Sequence, residues 1–552
     1  MLSRESIRDI ALKNAYDHDG RADEKAVLSK CLAAFPEERK NARSLLDLVH
    51  SVVEDLNSRD REEIIREAET RFPEILHKMK KEQEHTLPDL PGDHRDVVMR
   101  LAPSPSGPLH LGHTRMAILN DEYVRRYNGT LILRIEDTNP GNIDPEAYRM
   151  IPEDLESLGV KVHKIVIQSS RLDLYYSEAR SLIEKGFVYI CTCERETAKR
   201  YKAEMKACPH RNTGVEENME MFEKMVSGEI KAGEASAVVK TSLDDPNPSL
   251  RDWIAFRISP HRHPLVGDRY VLFPTMNFSV AVDDHHLKLT HVVRGRDQLN
   301  NTYRQRFIFR YNNWKEPYYF HYGMISYPGT LLKTSLMKKG IREGKYKGWD
   351  DVRLLTVRSL IRRGYRPETF RKYWVDSGLR DVDATFSWEI FDSINRGFVD
   401  QNAMRLFFVR DPVKIRIEGA PEMEAKIPFH PSRPDLGKRE YRIGVNQHVY
   451  IQQSDMNGMS EGDTVRLKDL CNVTFHNGLF HYSEGQELLR RGGSIHWCPE
   501  NSSSYRVEKP DGTVDSGLIE PLGKDITGVV QMERYGYVNS FPEKGIGYYT
   551  HR

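Results

Sequence analysis

Two histidines, three residues apart, follow a segment rich in turn-forming residues. The segment runs Pro103-Ser-Pro-Ser-Gly-Pro-Leu-His-Leu-Gly-His113, and its prolines predict a tight turn before His110 and His113. A helix start presents free N–H groups to an anion, and residues three apart on a helix share one face. The two imidazoles can therefore donate hydrogen bonds to a phosphate, with Gly112 leaving room for a nucleotide beside the backbone. The alternative is a turn with two solvent-facing histidines, and the motifs elsewhere in the chain favour the phosphate site.

Charged residues stand at the ends of three predicted strands. Arg100 precedes the turn, Glu136 follows the apolar run TLILRI, and Arg294 is the fifth residue of THVVRG. A guanidinium pairs bidentately with a carboxylate, and a carboxylate suits an ammonium group. Arg100 therefore suits a carboxylate, and Glu136 suits an ammonium group. An ordinary salt bridge at a strand end is the alternative for each arginine.

A cysteine and histidine cluster stands in the middle of the chain. Cys191-Thr-Cys193 is followed after fourteen residues by Cys208-Pro-His210. Three thiolates and one imidazole form a standard tetrahedral zinc set, and four filled positions indicate a structural rather than a catalytic metal. The alternative is four reduced residues without a metal.

Composition excludes several classes of protein. The net charge is +1 with 30% charged residues, so any nucleic-acid surface must be a local patch. Mean hydropathy is −0.62, and the chain lacks an apolar run of about 18 residues, the length that a membrane helix needs. The first residues do not resemble a secretory signal, and six cysteines are too few for a disulfide framework. We expect a cytoplasmic protein with no membrane partner.

The elements that must position these residues are organised in several domains. Apolar residues at helical spacing predict that the chain begins with a helical domain. A strand followed by a loop and a helix predicts a parallel α/β sheet. Short β-branched runs predict β-barrels near the end of the chain. We predict six regions: a helical N-terminal domain (1–88), a first α/β half (93–190), an insertion (191–265), a second α/β half (266–330), a loop with a helical region (331–398) and a β-barrel region (399–552).

The motifs resemble those of a known family. RLAPSPSGPLHLGH is similar to the "HIGH" opening of class I aminoacyl-tRNA synthetases of the glutamyl and glutaminyl branch, and RIEDTNP, LRDWIAFRI and THVVRG follow in the family's order. The similarity covers residues from about 95 to 415, and the helical extension with a β-type tail resembles glutamyl enzymes of archaeal type. It implies a multidomain fold: a Rossmann-type α/β catalytic domain with an insertion, a helical N-terminal extension, a helical stem-contact region and C-terminal β-barrels.

The resemblance also implies site residues. For ATP they are Pro103, Ser106, Gly107, His110, Gly112, His113, Lys333 and Ser335. For the amino acid they are Arg100, Ala102, Ser104, Glu136, Met276, Val280 and Arg294, with Glu136 facing the ammonium group. Glutaminyl enzymes place an uncharged residue where Arg294 stands, and a family tyrosine corresponds here to Met276.

The second signature of the class, "KMSKS", is altered. Leu332-Lys333-Thr334-Ser335 occupies its last four positions, so the family's catalytic lysine falls on Thr334. A lysine in such a loop neutralises the leaving pyrophosphate, and threonine cannot. We expect Lys333 to take over this role beside the catalytic histidines His110 and His113, with Lys338 or Lys339 as substitutes.

A basic stretch after this loop could face RNA. Lysine and arginine contact phosphate, and aromatic residues can stack on unpaired bases. The residues concerned are Arg358, Arg362, Arg363, Tyr365, Arg366, Arg371, Lys372, Tyr373 and Trp374. A solvated helix face explains the same charges equally well. The sequence of the β-rich C-terminal region does not identify a residue that contacts an anticodon base.

The sequence therefore predicts a ligase that uses ATP with Mg²⁺ to attach glutamate to the 3′ end of tRNA(Glu). It leaves open whether tRNA(Gln) is also charged. We expect a monomer with a structural Zn²⁺ in the cysteine cluster. Two alternatives stay: a glutaminyl-tRNA synthetase, against which Arg294 argues, and a catalytically weak RNA-binding paralogue, which the altered lysine loop suggests.

Overall fold

The structure, a computed structural model, describes residues 3–17, 20–35, 42–72, 87–330, 332–445, 447–485 and 493–552. The chain divides into two units, Met1–Thr86 and Leu87–Arg552. Residues 73–86 of the predicted N-terminal domain and residue 331 of the predicted signature loop lie outside the described residues. No helix in the described ranges is long and apolar enough to cross a membrane.

The first unit is helical, as predicted. Its helices are α1 (Arg4–Asp17), α2 (Glu24–Ala34), α3 (Ala42–Asn57) and α4 (Arg61–Arg71). Asp23 and Asp60 cap α2 and α4, because their carboxylates accept backbone N–H groups of the first turn. The apolar spacing of α3 buries Val49 and Leu56 in a core shared by all four helices.

The second unit alternates helices and strands before it becomes mainly β. Its helices are α5 (Leu111–Arg126), α6 (Ala147–Ser157), α7 (Leu172–Glu184), α8 (Arg195–Ala203), α9 (Val215–Ser227), α10 (Met276–His286), α11 (Leu299–Tyr311), α12 (Thr334–Arg342), α13 (Val357–Arg362), α14 (Pro367–Ser377), α15 (Trp388–Val399) and α16 (Gln453–Asn457). The strands up to the lysine loop are β1 (Val98–Leu101), β2 (Thr130–Ile135), β3 (Lys164–Ile167), β4 (Val188–Cys191), β5 (Ser236–Val239), β6 (Trp253–Ile258), β7 (Leu272–Pro274), β8 (His291–Gly295), β9 (Tyr318–Tyr322) and β10 (Ile325–Ser326).

Strands also make up most of the C-terminal part. They are β11 (Ala384–Thr385), β12 (Arg405–Leu406), β13 (Phe408–Arg410), β14 (Pro412–Glu418), β15 (Met423–Pro428), β16 (Lys438–Ile443), β17 (His448–Gln452), β18 (Thr464–Leu467), β19 (Cys471–His476), β20 (Leu479–Ser483), β21 (Ser494–Ile495), β22 (Cys498–Pro499), β23 (Ser503–Glu508), β24 (Val514–Ile519), β25 (Gly528–Met532), β26 (Gly536–Phe541) and β27 (Ile546–His551).

Five parallel strands form the sheet that positions the site. β1, β2 and β3 pair in that order, and β8 pairs with β9. The two groups meet where Thr290 N–H donates to Val98 O at 3.0 Å, which gives the order β3-β2-β1-β8-β9. Such doubly wound sheets bind ligands at the carboxyl ends of their strands, near the point where the strand order reverses. Arg100, Glu136 and Arg294 all lie at that edge.

The insertion is built on an antiparallel sheet of order β4-β5-β6-β7. This sheet extends beyond the predicted limits of 191 and 265, because β4 begins at residue 188 and β7 ends at 274. Its aromatic core includes Tyr176, Phe222 and Phe256.

The C-terminal region holds two seven-stranded curled sheets, in agreement with the predicted barrels. Their orders are β12-β25-β26-β27-β23-β24-β13 and β21-β18-β19-β20-β14-β17-β22. Strands such as β16 alternate exposed and buried residues, as expected where one sheet face meets solvent.

A buried ion pair connects the separate two-stranded sheet β15-β16 to the residue that follows β24. Arg439 on β16 donates to Glu520 at 2.6 Å, and both side chains are fully buried. Tyr441 also donates to Glu520 at 2.6 Å. Burial raises the pKa of Glu520 in spite of these partners. The carboxylate therefore depends on Arg439 for its charge.

We expect Arg439→Met to lower the local stability of β16 by about 3–5 kcal/mol, because it leaves Glu520 buried and unpaired. Hydrogen exchange of peptides covering this strand measures the loss. The matched control is Arg442→Met on the same strand, whose side chain is 80% exposed and should change stability by about 0.5 kcal/mol or less. Equal protection in both variants would contradict the dependence on Arg439.

Candidate active site

The turn between β1 and α5 is fixed by backbone hydrogen bonds to its surroundings. Glu136 N–H donates to Pro103 O at 3.0 Å, and Asp144 N–H donates to Pro105 O at 2.7 Å. The N–H of Leu109 donates to the buried carboxylate of Asp154 at 2.8 Å. The predicted tight turn is therefore present and rigidly held.

His110 and His113 lie together at the start of α5. His110 is the N-cap: its Nδ1 accepts the N–H of Gly112 at 3.1 Å, and Nδ1 of His113 accepts the N–H of His110 at 3.2 Å. The rings stack with centroids 3.8 Å apart. Burial lowers the pKa of His110 to about 2 and that of His113 to about 4. Both rings are therefore neutral near pH 7, and because each Nδ1 is an acceptor, each Nε2 carries the proton and can donate.

One cavity of about 530 Å³ opens beside these histidines. Most of the predicted site residues line it: Arg100, Ala102, Pro103, Ser104, His110, Gly112, His113, Glu136, Met276, Val280 and Arg294. The structure thus brings together all seven residues predicted for the amino acid and four of those predicted for ATP.

Four predicted residues do not line this cavity: Ser106, Gly107, Lys333 and Ser335. Gly107 packs against the lysine loop, since a Cβ atom placed on it would lie 2.7 Å from Cγ2 of Thr334. Lys333 is exposed at the N-cap of α12. Lys338 forms an ion pair with Asp144 at 2.9 Å, which holds the loop near the turn.

The cavity also contains residues that the sequence prediction missed. Asp297, Gln298, Tyr322, Tyr327 and Arg115 contribute to its wall. For Asp297 and Gln298, the signal in the sequence was their position just after the motif THVVRG. Tyr322 ends β9, and its place beside Gly295 follows from strand pairing rather than from a local motif.

Arg100 and Arg294 are buried cations without an acidic partner. They are 3% and 6% exposed, and the Nε atom of each has no hydrogen-bond partner among the described residues. Within the same residues, neither guanidinium takes part in an ion pair. Burial lowers the pKa of both side chains, that of Arg294 to about 10. The charge of Arg134 lowers the pKa of Arg100 further, and the charge of Arg100 lowers that of Arg294 further. Such cations fit an anionic ligand.

Glu136 supplies a negative charge in the wall of the same cavity. Its Oε1 accepts from Arg134 at 3.0 Å, and Arg134 also donates to Asp284 at 2.6 Å. Burial raises the pKa of Glu136, and Arg134 opposes this shift. A ligand ammonium group beside Glu136 would favour its ionised form.

The cysteine and histidine side chains of the insertion converge on one point. The ligand atoms of Cys191, Cys193, Cys208 and His210 all lie within 4.8 Å of one another. Sγ of Cys191 is 3.8 Å from Sγ of Cys208, and Nδ1 of His210 is 3.4 Å from Sγ of Cys193. Nε2 of His210 lies 2.9 Å from the hydroxyl of Thr192, which can fix the ring's tautomer. The four residues can hold a metal ion.

The predicted RNA-facing aromatics are not available for stacking. Tyr365, Tyr373 and Trp374 are buried at 2%, 7% and 1% exposure in the core of the catalytic part, so this expectation is wrong. Trp374 Nε1 donates to Thr114 at 2.8 Å. The pattern of aromatic residues between charges reflects a helix face packed on the sheet.

Several of the basic residues in this stretch have partners inside the protein. Arg358 pairs with Asp154 at 2.9 Å, Arg371 pairs with Glu122 at 2.7 Å, and Arg363 donates to backbone oxygens. Arg366 and Lys372 have side chains that are 57% and 54% exposed. Only a reduced part of the predicted basic surface is thus open to a phosphate.

A parallel sheet of this order, with paired histidines at its first helix, resembles the catalytic core of a class I aminoacyl-tRNA synthetase. Residues 96–400 match the family model "tRNA synthetases class I (E and Q), catalytic domain", and residues 403–486 match the corresponding anti-codon binding domain. The chain belongs to this glutamate and glutamine branch of class I tRNA synthetases.

Curated relatives extend the match over the full length. The glutamate–tRNA ligase of Thermoplasma volcanium is 57% identical over 100% of both chains. That of Thermoplasma acidophilum is 58% identical over 92% of both chains. That of Methanopyrus kandleri is 43% identical over 97% of this chain and 96% of its own.

Proposed function

We propose that this chain is a glutamate–tRNA ligase that attaches glutamate to the 3′ end of tRNA(Glu). The observation that carries the proposal is the pair of buried, carboxylate-free arginines, Arg100 and Arg294, in one cavity with Glu136 and the histidine pair. Glutamate offers two carboxylates and one ammonium group, which match these charges. The relatives described above are glutamate–tRNA ligases, and nothing among them favours the glutaminyl alternative.

The reaction has two steps. The α-carboxylate of glutamate attacks the α-phosphorus of ATP, which the family uses with Mg²⁺, and pyrophosphate leaves. The terminal 2′-hydroxyl of tRNA, the acceptor that class I membership implies, then attacks the carbonyl carbon of glutamyl adenylate, and AMP leaves. No side chain has to act as a nucleophile, so catalysis consists of positioning and charge stabilisation.

Each side chain has a proposed part in these steps. Arg294 binds the γ-carboxylate, Arg100 in the same cavity neutralises the remaining negative charge of the amino acid, and Glu136 binds its ammonium group. His110 and His113 are neutral, so they act as Nε2–H donors to the phosphates rather than as cations. The cytoplasmic location, the monomeric state and the charging of tRNA(Gln) stay predictions.

The first test is Arg294→Ala. We expect the glutamate KM to rise by about a hundredfold or more, because the γ-carboxylate loses a buried bidentate partner. The ATP KM should change by no more than about threefold, since the histidine pair is untouched. Arg296→Ala is the matched control, because this side chain is 46% exposed and pairs with Asp383 outside the cavity. An unchanged glutamate KM in Arg294→Ala, measured by aminoacylation, would falsify the role.

The cysteine cluster is proposed to bind one structural Zn²⁺. A tetrahedral site with Zn–S bonds of about 2.3 Å separates two sulfurs by about 3.8 Å, which is the Cys191–Cys208 distance of 3.8 Å. Four filled ligand positions leave none for a reacting water, so this metal would order the insertion without entering the reaction.

Metal analysis of protein purified without added metal should find one zinc per chain. We expect Cys193→Ala or Cys208→Ala to lose the metal and to speed hydrogen exchange in the insertion, because three ligands hold zinc less tightly than four. Cys471→Ala, which removes a buried cysteine elsewhere, should keep the metal. Metal-free wild-type protein with normal exchange in both cluster variants would rule the site out.

Lys333 is proposed to neutralise the leaving pyrophosphate. Within the described residues it forms no ion pair, whereas Lys338 is held by Asp144 and Lys339 lies 3.7 Å from Glu343. Its place directly before Thr334, which touches Gly107, lets a small movement of the loop bring it to the phosphates.

We expect Lys333→Ala to slow adenylate formation by about a hundredfold, with little change in ATP affinity, because the charge it offsets develops only in the transition state. Pyrophosphate exchange with tRNA present measures this rate. Lys339→Ala is the control, since its side chain is 69% exposed and near Glu343. A near-normal rate in Lys333→Ala combined with a large gain in Thr334→Lys would instead identify a weakened paralogue.

A further inference from the structure

Arg294 is held by neutral side chains rather than by an acid. Its Nη2 donates to the hydroxyl of Thr302 and, at 2.9 Å, to Oε1 of Gln305, both on α11. Thr302 and Gln305 are fully buried at 1% and 0% exposure. These bonds restrict the guanidinium without cancelling its charge.

We propose that Thr302, His321 and a chain of amides from Gln305 to Asp297 are positioning residues that hold Arg294 for a carboxylate and against an amide. The inference rests on the proposed role of Arg294 in binding the γ-carboxylate, and it names the residues that set the selectivity of that site.

The first branch passes through Thr302 to His321. β8 and β9 are parallel, and Arg294 is in register with His321, so both side chains lie on the same face. Nε2 of His321 lies 2.8 Å from Oγ1 of Thr302. The hydroxyl oxygen accepts from Arg294, and its proton can point to Nε2 of His321 or, over a longer 3.4 Å, to the backbone oxygen of Gln298. Burial lowers the pKa of His321 to about 4, so its ring is neutral near pH 7 and can accept that proton.

The second branch is a chain of amide side chains. Gln305 Nε2 donates to Asn277 at 3.3 Å, and Asn277 Nδ2 donates to Asn301 at 3.1 Å. Asn301 Nδ2 donates to Gln298 at 2.8 Å, and Gln298 Nε2 donates to the carboxylate of Asp297 at 2.6 Å. The chain thus connects the buried arginine with an acidic residue in the cavity wall.

The guanidinium end of this chain fixes the direction of its buried bonds. A guanidinium can only donate, so Gln305 turns its oxygen toward Arg294 and its NH₂ group toward Asn277. Turning Gln305 around would place two donors face to face beside Arg294, and the groups would stay unpaired because Gln305 and Asn277 are both buried. Beyond Asn301 the chain reaches the exposed carboxylate of Asp297, where water can also serve as a partner.

This arrangement has a direct consequence for selectivity. Neutral acceptors leave the positive charge of Arg294 available, and a fixed orientation aims it at one place in the cavity. A γ-carboxylate satisfies that charge, whereas the amide of glutamine leaves it partly unpaired, which a buried site penalises strongly. A carboxylate in place of Gln305 would neutralise the arginine from within the protein and remove the preference.

The first experiment is Gln305→Glu, compared with Gln305→Met. We expect Gln305→Glu to raise the glutamate KM by about a hundredfold and to raise the ratio of glutamine to glutamate kcat/KM, because Arg294 gains an internal counter-ion. Gln305→Met removes the acceptor without adding charge, and its glutamate KM should rise by about tenfold. The ATP KM, measured in the same aminoacylation assay, should stay within about threefold in both.

The second experiment is Thr302→Val, compared with Thr302→Ser. Valine keeps the shape and removes the hydroxyl, so we expect the glutamate KM to rise by about tenfold, and serine should restore it. Thr369→Val is the matched control: Thr369 is equally buried, and its hydroxyl lies 2.8 Å from Oδ1 of Asn395 in the helical region. It should lower thermal stability without changing the glutamate KM.

Arg294→Ala, measured in parallel, separates the two levels of the argument. If it leaves the glutamate KM unchanged, the carboxylate role of Arg294 fails, and the positioning network fails with it. If it raises the KM while Gln305→Glu and Thr302→Val stay within about threefold of wild type, the network alone is overturned. A rise in glutamate KM that Thr302→Ser does not reverse also overturns the role of the hydroxyl.

Discussion

The fully buried guanidinium of Arg134 is the charge around which the catalytic core is arranged. A cation without solvent must be matched inside the protein, and Asp284 at 2.6 Å and Glu136 at 3.0 Å do this. Asp284 belongs to α10, after the insertion, whereas Arg134 belongs to the first half of the sheet. The ion pair therefore ties the two halves together at their ligand-binding edge, and it fixes the carboxylate of Glu136 at the cavity.

A site residue could be predicted from the sequence where its position follows from the strand that carries it. Parallel strands end at one edge, so Arg100 and Arg294 could be predicted to meet there. Tyr322 and Thr302 could not, because they reach the site through the register of β8 with β9 and through one face of α11. Trp374 was misjudged for a related reason: a local pattern does not distinguish an aromatic that stacks on a base from one that fills a core.

The two less regular motifs show the same limit. The spacing of Cys191 and Cys208 predicted a shared site, because both flank short segments that strand and turn geometry bring together, and the structure agrees on their proximity. The lysine loop was aligned by sequence alone, and alignment does not tell which side chain faces the nucleotide. Thr334 lies against Gly107, whereas Lys333 is exposed to solvent. Which of the two side chains faces the nucleotide therefore depends on the residue at which α12 begins.

Charge balance favours glutamate over glutamine in the proposed amino-acid pocket. The guanidinium groups of Arg100, Arg115, Arg134 and Arg294 at this pocket face three carboxylates, Glu136, Asp284 and Asp297, since Asp283 is matched by Arg171 at 2.7 Å. The protein's own groups leave one positive charge unmatched. Glutamate, with two carboxylates and one ammonium group, brings one net negative charge, and glutamine brings none. In a desolvated pocket an unmatched charge is costly, so under the proposed function the pocket as a whole favours a carboxylate, with Arg294 as its proposed partner.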